Sequence, residues 1–252
     1  MLFSIITLTK NSSSLIDNTL QSLYSQKNVD FEHIIQDCNS TDDTVDKVKK
    51  FSNKSTKIFI ENDTGIFSAL NKSLKKVDGD IIGLLHSGDY YLSFNTLSEI
   101  EEIFKQHNVD VVFCGISSTI KFLKYNIVRK WMPHGLGTIL LNFGLMNPHP
   151  AIFINRETIS KLGNYDETFK ISSDYEYFLR IAFDNHLNCY THKKIIIEMD
   201  PFGNSSNFNL RVFKKFKEDF LIAKKFFKLP LITVLLKRVI KIFQYLKLKK
   251  IR

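Results

Sequence analysis

A chain of 252 residues with 44% hydrophobic and 24% charged residues has the composition of a globular protein and excludes a disordered or fibrous one. Its net charge of +9 is unevenly placed: residues 211–252 carry 14 Lys/Arg against 2 acids, a net of +12, whereas residues 1–210 carry 21 against 24, a net of −3. That distribution argues against a nucleic-acid-binding body and for a basic tail that meets an anionic surface.

The chain opens on an apolar run over 3–8, expected as a strand covered on both faces and not as a signal peptide, since no basic stretch or small-residue cleavage site accompanies it. Ser12 to Ser14 can cap a helix that places Ile16, Leu20 and Leu23 on one face. A strand over 31–35, a helix from 40 to about 51, a strand over 57–60 and a helix from Ile66 follow. Phe67, Leu70 and Leu74 point inward on the last of these. Residues 80–85 form the most apolar strand, then come a helix over 96–106 and a strand over 109–113. This alternation predicts βαβ units around a parallel sheet.

After residue 115 the pattern weakens. Residues 116–130 read as a hairpin and 135–147 as a glycine-containing loop with helical stretches. A strand over 151–154, helices over 156–162 and 174–185, and a last strand over 195–198 complete the body. A Gly/Ser/Asn stretch beyond Pro201 leads to the tail, so the expected division is a catalytic domain over 1–208 and a basic amphipathic helical tail over 209–252. Cys38, Cys114 and Cys189 form no C-x-x-C, which speaks against a disulfide framework or a cysteine zinc site and for a reducing cytosol. No stretch reaches the ~18 apolar residues of a membrane span.

In open α/β sheets, ligands bind at the carboxyl ends of the strands. Three such ends carry acids: Asp37, Asp42 and Asp43 after the second strand, Glu61 and Asp63 after the third, and Asp89 after the fourth. Asp42 reads equally as a helix cap or as support for a ligand. No P-loop, dinucleotide fingerprint, H-E-x-x-H or G-x-S-x-G is present.

These stretches, in order, resemble the family 2 glycosyltransferases of GT-A fold, in particular those of bacterial surface-polysaccharide assembly. The resemblance is carried by the opening strand over 4–10 and by Asp37-Cys38-Asn39-Ser40-Thr41-Asp42-Asp43-Thr44. It continues through Glu61, Asp63, Gly65, Ile66, Phe67, Ala69, Asn71 and Lys72, and then Gly79-Asp80 leading to Ser87-Gly88-Asp89. His149-Pro150, the stretch over 162–167, and Ser173-Asp174-Tyr175-Glu176 with Arg180 complete it. The resemblance covers about 3–220 and implies a GT-A (Rossmann-like) central, mostly parallel sheet flanked by helices.

It also implies a metal-dependent, inverting hexosyltransferase that uses a nucleotide-diphosphate-sugar donor. Thr7, Thr9, Asp37, Asp63 and Ser87 would then bind the donor nucleotide. Asp89 would hold Mn²⁺ or Mg²⁺, a hard cation that takes one or two carboxylates plus substrate phosphates. The family usually offers two acids at this point, and Gly88 stands where one of them would be. Asp174 would be the base that takes the acceptor's proton, with Glu176 turned away round the helix. His149 is an acceptor or phosphate contact or a simple turn residue, and Arg180 either pairs with a carboxylate or lies along its helix. The acceptor is expected to be a saccharide, lipid-linked, at the inner face of the cytoplasmic membrane. The rival reading is a nucleotide-binding, membrane-docking protein of the same fold without catalysis.

In the tail, Ile232, Leu235, Leu236, Val239, Ile242, Phe243 and Leu246 recur at helical spacing, with Lys237, Arg238, Lys241 and Lys247 between them. A helix with one apolar face and a basic margin lies in a membrane interface, each basic residue adding about 1 kcal/mol near an anionic leaflet. The other reading packs this helix on the body or on a second subunit.

Overall fold

The computed structural model describes residues 1–122, 125–201, 208–244 and 247–250. The Gly/Ser/Asn stretch expected after Pro201 and the apolar position Leu246 fall outside the described residues.

The first half follows the alternation read from the sequence. Strands β1 (Leu2–Thr9), β2 (Asp30–Asp37), β3 (Thr56–Ile60) and β4 (Ile81–Leu84) are separated by helices α1 (Ile16–Tyr24), α2 (Thr44–Phe51) and α3 (Ile66–Leu74). All pairings among these strands are parallel, in the order β4-β1-β2-β3. Successive residues of a strand face opposite sides of the sheet. Accordingly Phe3 and Ile5 of β1 enter one hydrophobic cluster, and Ile6 enters another. On the first side the sheet is covered by α4 (Thr96–His107) through Leu97, Ile100 and Phe104.

Beyond β4 the sheet turns mixed. Strand β5 (Tyr90–Tyr91) is short, and β6 (Val111–Phe122) and β7 (Tyr125–Trp131) form the expected hairpin. Helix α5 (Thr138–Asn142) lies in the glycine-containing loop, and β8 (Ile152–Asn155) inserts antiparallel between β4 and β6. Helices α6 (Arg156–Leu162) and α7 (Ser173–Phe183) precede β9 (Cys189–Glu198). That strand starts six residues earlier than its apolar end predicts. Its polar first part is held by parallel pairing to β6, where Val111 lies opposite Cys189.

The segment read as a tail is two helices, α8 (Phe208–Phe226) and α9 (Pro230–Phe243), and a strand β10 (Lys247–Lys250) that pairs antiparallel with β7. The helical spacing expected to run to residue 248 therefore ends at Phe243. Helices α8 and α9 pack on α7 within the cluster that holds Ile6, Phe67 and Tyr175. Ile222, Ala223 and Val234 are fully buried there. Burying an Ile or Val side chain contributes about 1.5–3 kcal/mol, so both helices belong to the core energetically.

Candidate active site

A cavity of about 580 Å³ opens on the cluster side of the sheet. One wall is built by α3 (Ile66, Phe67, Leu70) and His86 after β4, and the opposite wall by α8 and α9. Asp174, in the first turn of α7, lines it between the two walls, with His149 nearby.

Asp174 is placed there by a capping arrangement that the sequence does not announce. The amides of residues 170–172, just ahead of α7, all donate to one carboxylate on α8. Lys170 N reaches Glu218 Oε1 at 3.1 Å, while Ile171 N and Ser172 N reach Oε2 at 2.8 and 2.9 Å. A buried backbone donor without a partner is costly, and Glu218, 7% exposed, removes three such costs at once. Glu176 is turned from the cavity, as expected: it pairs with Arg180 at 2.9 Å.

His149 is buried, and its Nε2 lies 2.8 Å from the Tyr165 hydroxyl. Burial lowers its imidazole below the usual histidine range, against the opposing charge of Asp174. Arg180, expected as an acceptor or phosphate contact, does not line the cavity. Its guanidinium donates to Glu176 and to the carbonyls of Leu162 and Asn164, and stacks over Tyr177. It ties α6 to α7.

The nucleotide-site residues fall into two groups. Thr7 is fully buried; its hydroxyl donates to Leu85 O at 2.6 Å and meets His33 Nε2 at 2.8 Å. It joins strands and has no free face for a base. Thr9 and Asp37 act as a pair, with Thr9 Oγ1 donating to Asp37 Oδ2 at 2.7 Å and Ser40 donating to both carboxylate oxygens. Asp37 thus shapes the turn after β2. Asp42 likewise braces loops, accepting from Ser13 N and from Thr44 N and Oγ1, bonds that hold it down at about 2. Asp63 accepts from Gly65 N at 3.0 Å, and Ser87 meets Ser12 across the β1 and β4 ends at 3.0 Å. Asn71 and Lys72, also in the motif, bind Tyr165 and Glu167, and Asn62 and Glu61, respectively. Much of the motif is scaffold.

Asp89 is 4% exposed and accepts from Asp200 N at 3.0 Å. Burial, with the charge of Asp200 adding to it, pushes its carboxyl up to about 7. Gly88, where the second acid of the motif would stand, has φ +99°, and a Cβ there would lie 2.9 Å from Asp200 Cβ. Asp200 occupies the space an acidic side chain at 88 would need. The two acids that meet at this turn are Asp89 and Asp200, from strand ends far apart in the chain. Two hard carboxylates fit a cation whose shell is completed by phosphate oxygens. Among the described residues no group of three or more His, Cys, Asp and Glu gathers to cage a metal by itself.

The wall formed by α8 and α9 carries residues that sequence reasoning assigned elsewhere. Lys237, read as part of the basic side of a membrane-surface helix, points inward. Its Nζ lies 3.2 Å from Asp219 Oδ1 and 3.1 Å from the centre of the Tyr175 ring. Burial pulls it down to about 8 in spite of Asp219. Burial would raise Asp219, but the charges of Lys237 and Lys215 outweigh that and hold it below its usual range. Glu218 and Asp219 are the only acids in the basic segment, and that rarity is the signal that marks them.

The comparisons with known proteins agree with this geometry. Residues 4–163 match the model of glycosyl transferase family 2. A PGL/p-HBAD biosynthesis glycosyltransferase of Mycobacterium bovis is 26% identical over 212 residues, 82% of this chain and 79% of that protein. The Escherichia coli UDP-Glc:alpha-D-GlcNAc-diphosphoundecaprenol beta-1,3-glucosyltransferase WfaP is 31% identical over 153 residues, 56% of this chain and 61% of that one. Among solved structures, S. aureus TarS 1-349 has a TM-score of 0.68 at 21% identity, covering 89% of this chain and 65% of its own. The mannosyltransferase PcManGT from Pyrobaculum calidifontis, in complex with GDP-Man and Mn2+, has a TM-score of 0.66 at 15% identity, with 95% and 69% covered. These likenesses show the GT-A fold.

Proposed function

This chain belongs to glycosyl transferase family 2, and from that premise we propose that it is an inverting hexosyltransferase acting on a nucleotide-diphosphate-sugar donor and a lipid-linked saccharide of a surface glycan. The observation that carries the reading is Asp174. It is the one carboxylate in the cavity lining that stands between the motif-bearing strand ends and the opposite wall without an ion-pair partner among the described residues. In the transfer, the acceptor hydroxyl oxygen bonds to the anomeric carbon from the face opposite the phosphate. The carbon–phosphate oxygen bond breaks, the nucleoside diphosphate leaves with the electron pair, and Asp174 takes the hydroxyl proton. A positioned base typically contributes 10²–10⁴-fold. His149, neutral beside it, supplies a hydrogen bond and no competing charge.

Asp37 and Asp63, with Thr9 and Ser87, would meet the nucleotide by carboxylate and hydroxyl contacts after their loops re-form around it. Asp89 and Asp200 would hold Mn²⁺ or Mg²⁺, which when bound neutralises charge on the leaving diphosphate. The complexes of S. aureus TarS 1-349 with UDP-GlcNAc and of PcManGT with GDP-Man and Mn2+ support this class of donor.

The membrane reading rests on a surface. Leu231, Ile232, Leu235 and Val239 are exposed along α9, and Ile139 and Leu140 along α5 with Phe143 just after it. The two helices adjoin at Gly144 (φ +75°), where a side chain would strike Thr233 O and Lys237 Cβ at 2.6 Å. Among the described residues no helix is long and apolar enough to cross a membrane. Docking of this rim on the anionic inner face would deliver a lipid-linked acceptor to the cavity.

The test is a panel of UDP- and GDP-sugars with Mn²⁺ or EDTA, with the product's anomeric configuration read by NMR. Transfer with inversion that is lost in Asp174→Asn is the expected result. Retention of configuration, or full activity in Asp174→Asn, defeats the mechanism.

A further inference from the structure

His149 has one ring nitrogen left for a bound molecule. The residue stands between Pro148 and Pro150 at the start of a short 3-10 turn, and its ring packs edge-on against Tyr165 with centroids 5.5 Å apart. Its Nε2 is taken by the Tyr165 hydroxyl at 2.8 Å. Among the described residues Nδ1 has no hydrogen-bond partner, yet it is not one of the polar atoms sealed from solvent without one. His149 lines the cavity that holds Asp174, and Nδ1 is therefore the atom it offers there.

Tyr165 is itself fixed. Its ring stacks on Phe67 (5.8 Å, 26°) and on Tyr177 (4.2 Å, 22°). Its backbone N and O are both bound by the Asn71 side chain on α3, at 2.9 and 3.0 Å. The hydroxyl cannot swing to another group, and among the described residues His149 is its only hydrogen-bond partner.

A hydrogen bond between a hydroxyl and a neutral imidazole can run either way, and the two directions differ in cost. If His149 donated, the phenolic hydrogen would be buried without an acceptor, the expensive outcome for a polar group. If Tyr165 donates, every hydrogen of the pair is used. The phenol gives its hydrogen to Nε2, and the imidazole's own hydrogen sits on Nδ1, at the open side. Burial holds the phenol well above its ordinary range, so it keeps a hydrogen to give, and burial likewise keeps the imidazole neutral.

We propose that Tyr165 is a positioning residue that locks His149 in the Nδ1–H tautomer, so that His149 meets the substrates as a hydrogen-bond donor only and selects an oxygen with a free lone pair. Asn71 then acts at a distance: α3 holds Tyr165, and Tyr165 sets His149. The substrate contact rests on the cavity being the transfer site, whereas the tautomer does not. An accepting oxygen is present both in the sugar nucleotide's diphosphate and in the acceptor saccharide, and the experiment separates the two.

Long-range proton–nitrogen NMR of the full chain, labelled in histidine, reads each ring nitrogen directly, and loss of the signals in His149→Asn assigns them. The expected result is a hydrogen on Nδ1 and a bare Nε2 in the wild type, with the hydrogen moving towards Nε2 in Tyr165→Phe, which keeps the stacked ring. A wild-type His149 with its hydrogen on Nε2 overturns the proposal without any substrate. Transfer is then followed with the panel of UDP- and GDP-sugars, and binding of UDP and GDP with Mn²⁺ by calorimetry. Tyr165→Phe should lower kcat/KM about fivefold. An Asn side-chain amide nitrogen falls near Nδ1 of the histidine it replaces, and that of Gln near Nε2. His149→Asn should therefore lose less than His149→Gln, and adding Tyr165→Phe to His149→Asn should cost no further activity. A matching loss of UDP or GDP affinity in Tyr165→Phe assigns the oxygen to the donor's diphosphate, and a loss confined to transfer assigns it to the acceptor. Equal losses in the Asn and Gln variants, or a Tyr165→Phe effect that persists in the Asn background, would show a merely structural role and overturn the proposal. If no nucleotide binds the wild-type protein while the nitrogen signals are as expected, the tautomer stands and the donor reading fails.

Discussion

Glu218→Gln should lower both stability and turnover, although Glu218 touches no substrate. Its two oxygens accept three amides from residues 170–172, and the carboxamide that replaces it keeps one oxygen. The best fit leaves that oxygen at the Oε2 position, where two amides sit at 2.8 and 2.9 Å. The new NH₂ then faces the Lys170 amide, donor against donor. Hydrogen bonds to a charged partner contribute about 1.5–3 kcal/mol, and a neutral acceptor gives roughly half as much. One bond lost and two halved come to about 3 kcal/mol at the low end of that range. For a domain of this size 1 kcal/mol shifts Tm by about 2–4 °C, so the melting temperature should fall by about 9 °C. Because the released amides lead directly into the turn bearing Asp174, kcat should fall more than nucleotide affinity. Thermal melts by circular dichroism and single-turnover transfer measure the two effects. A Tm within about 2 °C of wild type would refute the idea that α8 secures the base.

Asp174→Asn should reduce kcat by at least about 10² while nucleoside diphosphate affinity changes less than twofold, because a base acts only in the reaction step; near-normal turnover would remove it from the mechanism. Gly88→Asp should not restore a stronger metal site. Its positive φ and the approach of Asp200 Cβ at 2.9 Å predict a loss of about 1–3 kcal/mol, so a stable variant with tighter Mn²⁺ binding would contradict the assignment of Asp200. Lys237 sits at about 8 against an unfolded value near 10.5, so its charge costs stability fully below pH 8 and ceases to do so as pH rises to about 10.5. With Asp219 and Lys215 on α8, Asp174 and Tyr175 on α7 and Lys241 on α9 present in both proteins, the wild-type Tm should gain on that of Lys237→Met between pH 8 and 10. Parallel curves would show that Lys237 is not desolvated. Ile232→Asp with Leu235→Asp should abolish co-sedimentation with anionic vesicles at low salt while leaving the melt unchanged, since both side chains are exposed; undiminished binding would reject the α9 surface as the membrane contact.

The parallel half of the sheet was legible because both its faces are covered. A strand buried on two sides is apolar throughout, and β1, β2 and β4 show up as runs such as Ile5-Ile6 and Ile81-Ile82. Helix α1 was legible for the matching reason, its buried Ile16, Leu20 and Leu23 falling at helical spacing. β5 and the start of β9 were not, because their pairing is set by partners far away in the chain and their own side chains are polar or half-exposed. The site motifs located the right strand ends but not the tasks of their residues. A polar side chain that binds a ligand and one that braces the turn look alike in sequence, and Asp42, Asn71 and Arg180 belong to the second kind.

The basic segment was misread at Lys237 for a reason that bears on its role. Fourteen cations against two acids suggest a segment turned wholly towards an anionic surface, yet charge balance operates residue by residue. Adjacent positions on a helix point about 100° apart, so Glu218 and Asp219 serve different neighbours. Glu218 turns to the amides ahead of α7, and Asp219 turns to Lys237. Each is buried, and a buried acid is retained only where something opposite requires it. The two acids therefore mark the face of α8 that the rest of the protein uses. That face joins the helix start bearing Asp174 to a wall of cations. A device whose only task was to hold the chain on a membrane would need neither acid, and it would have no reason to draw Lys237 away from the lipid and set it beside Asp174.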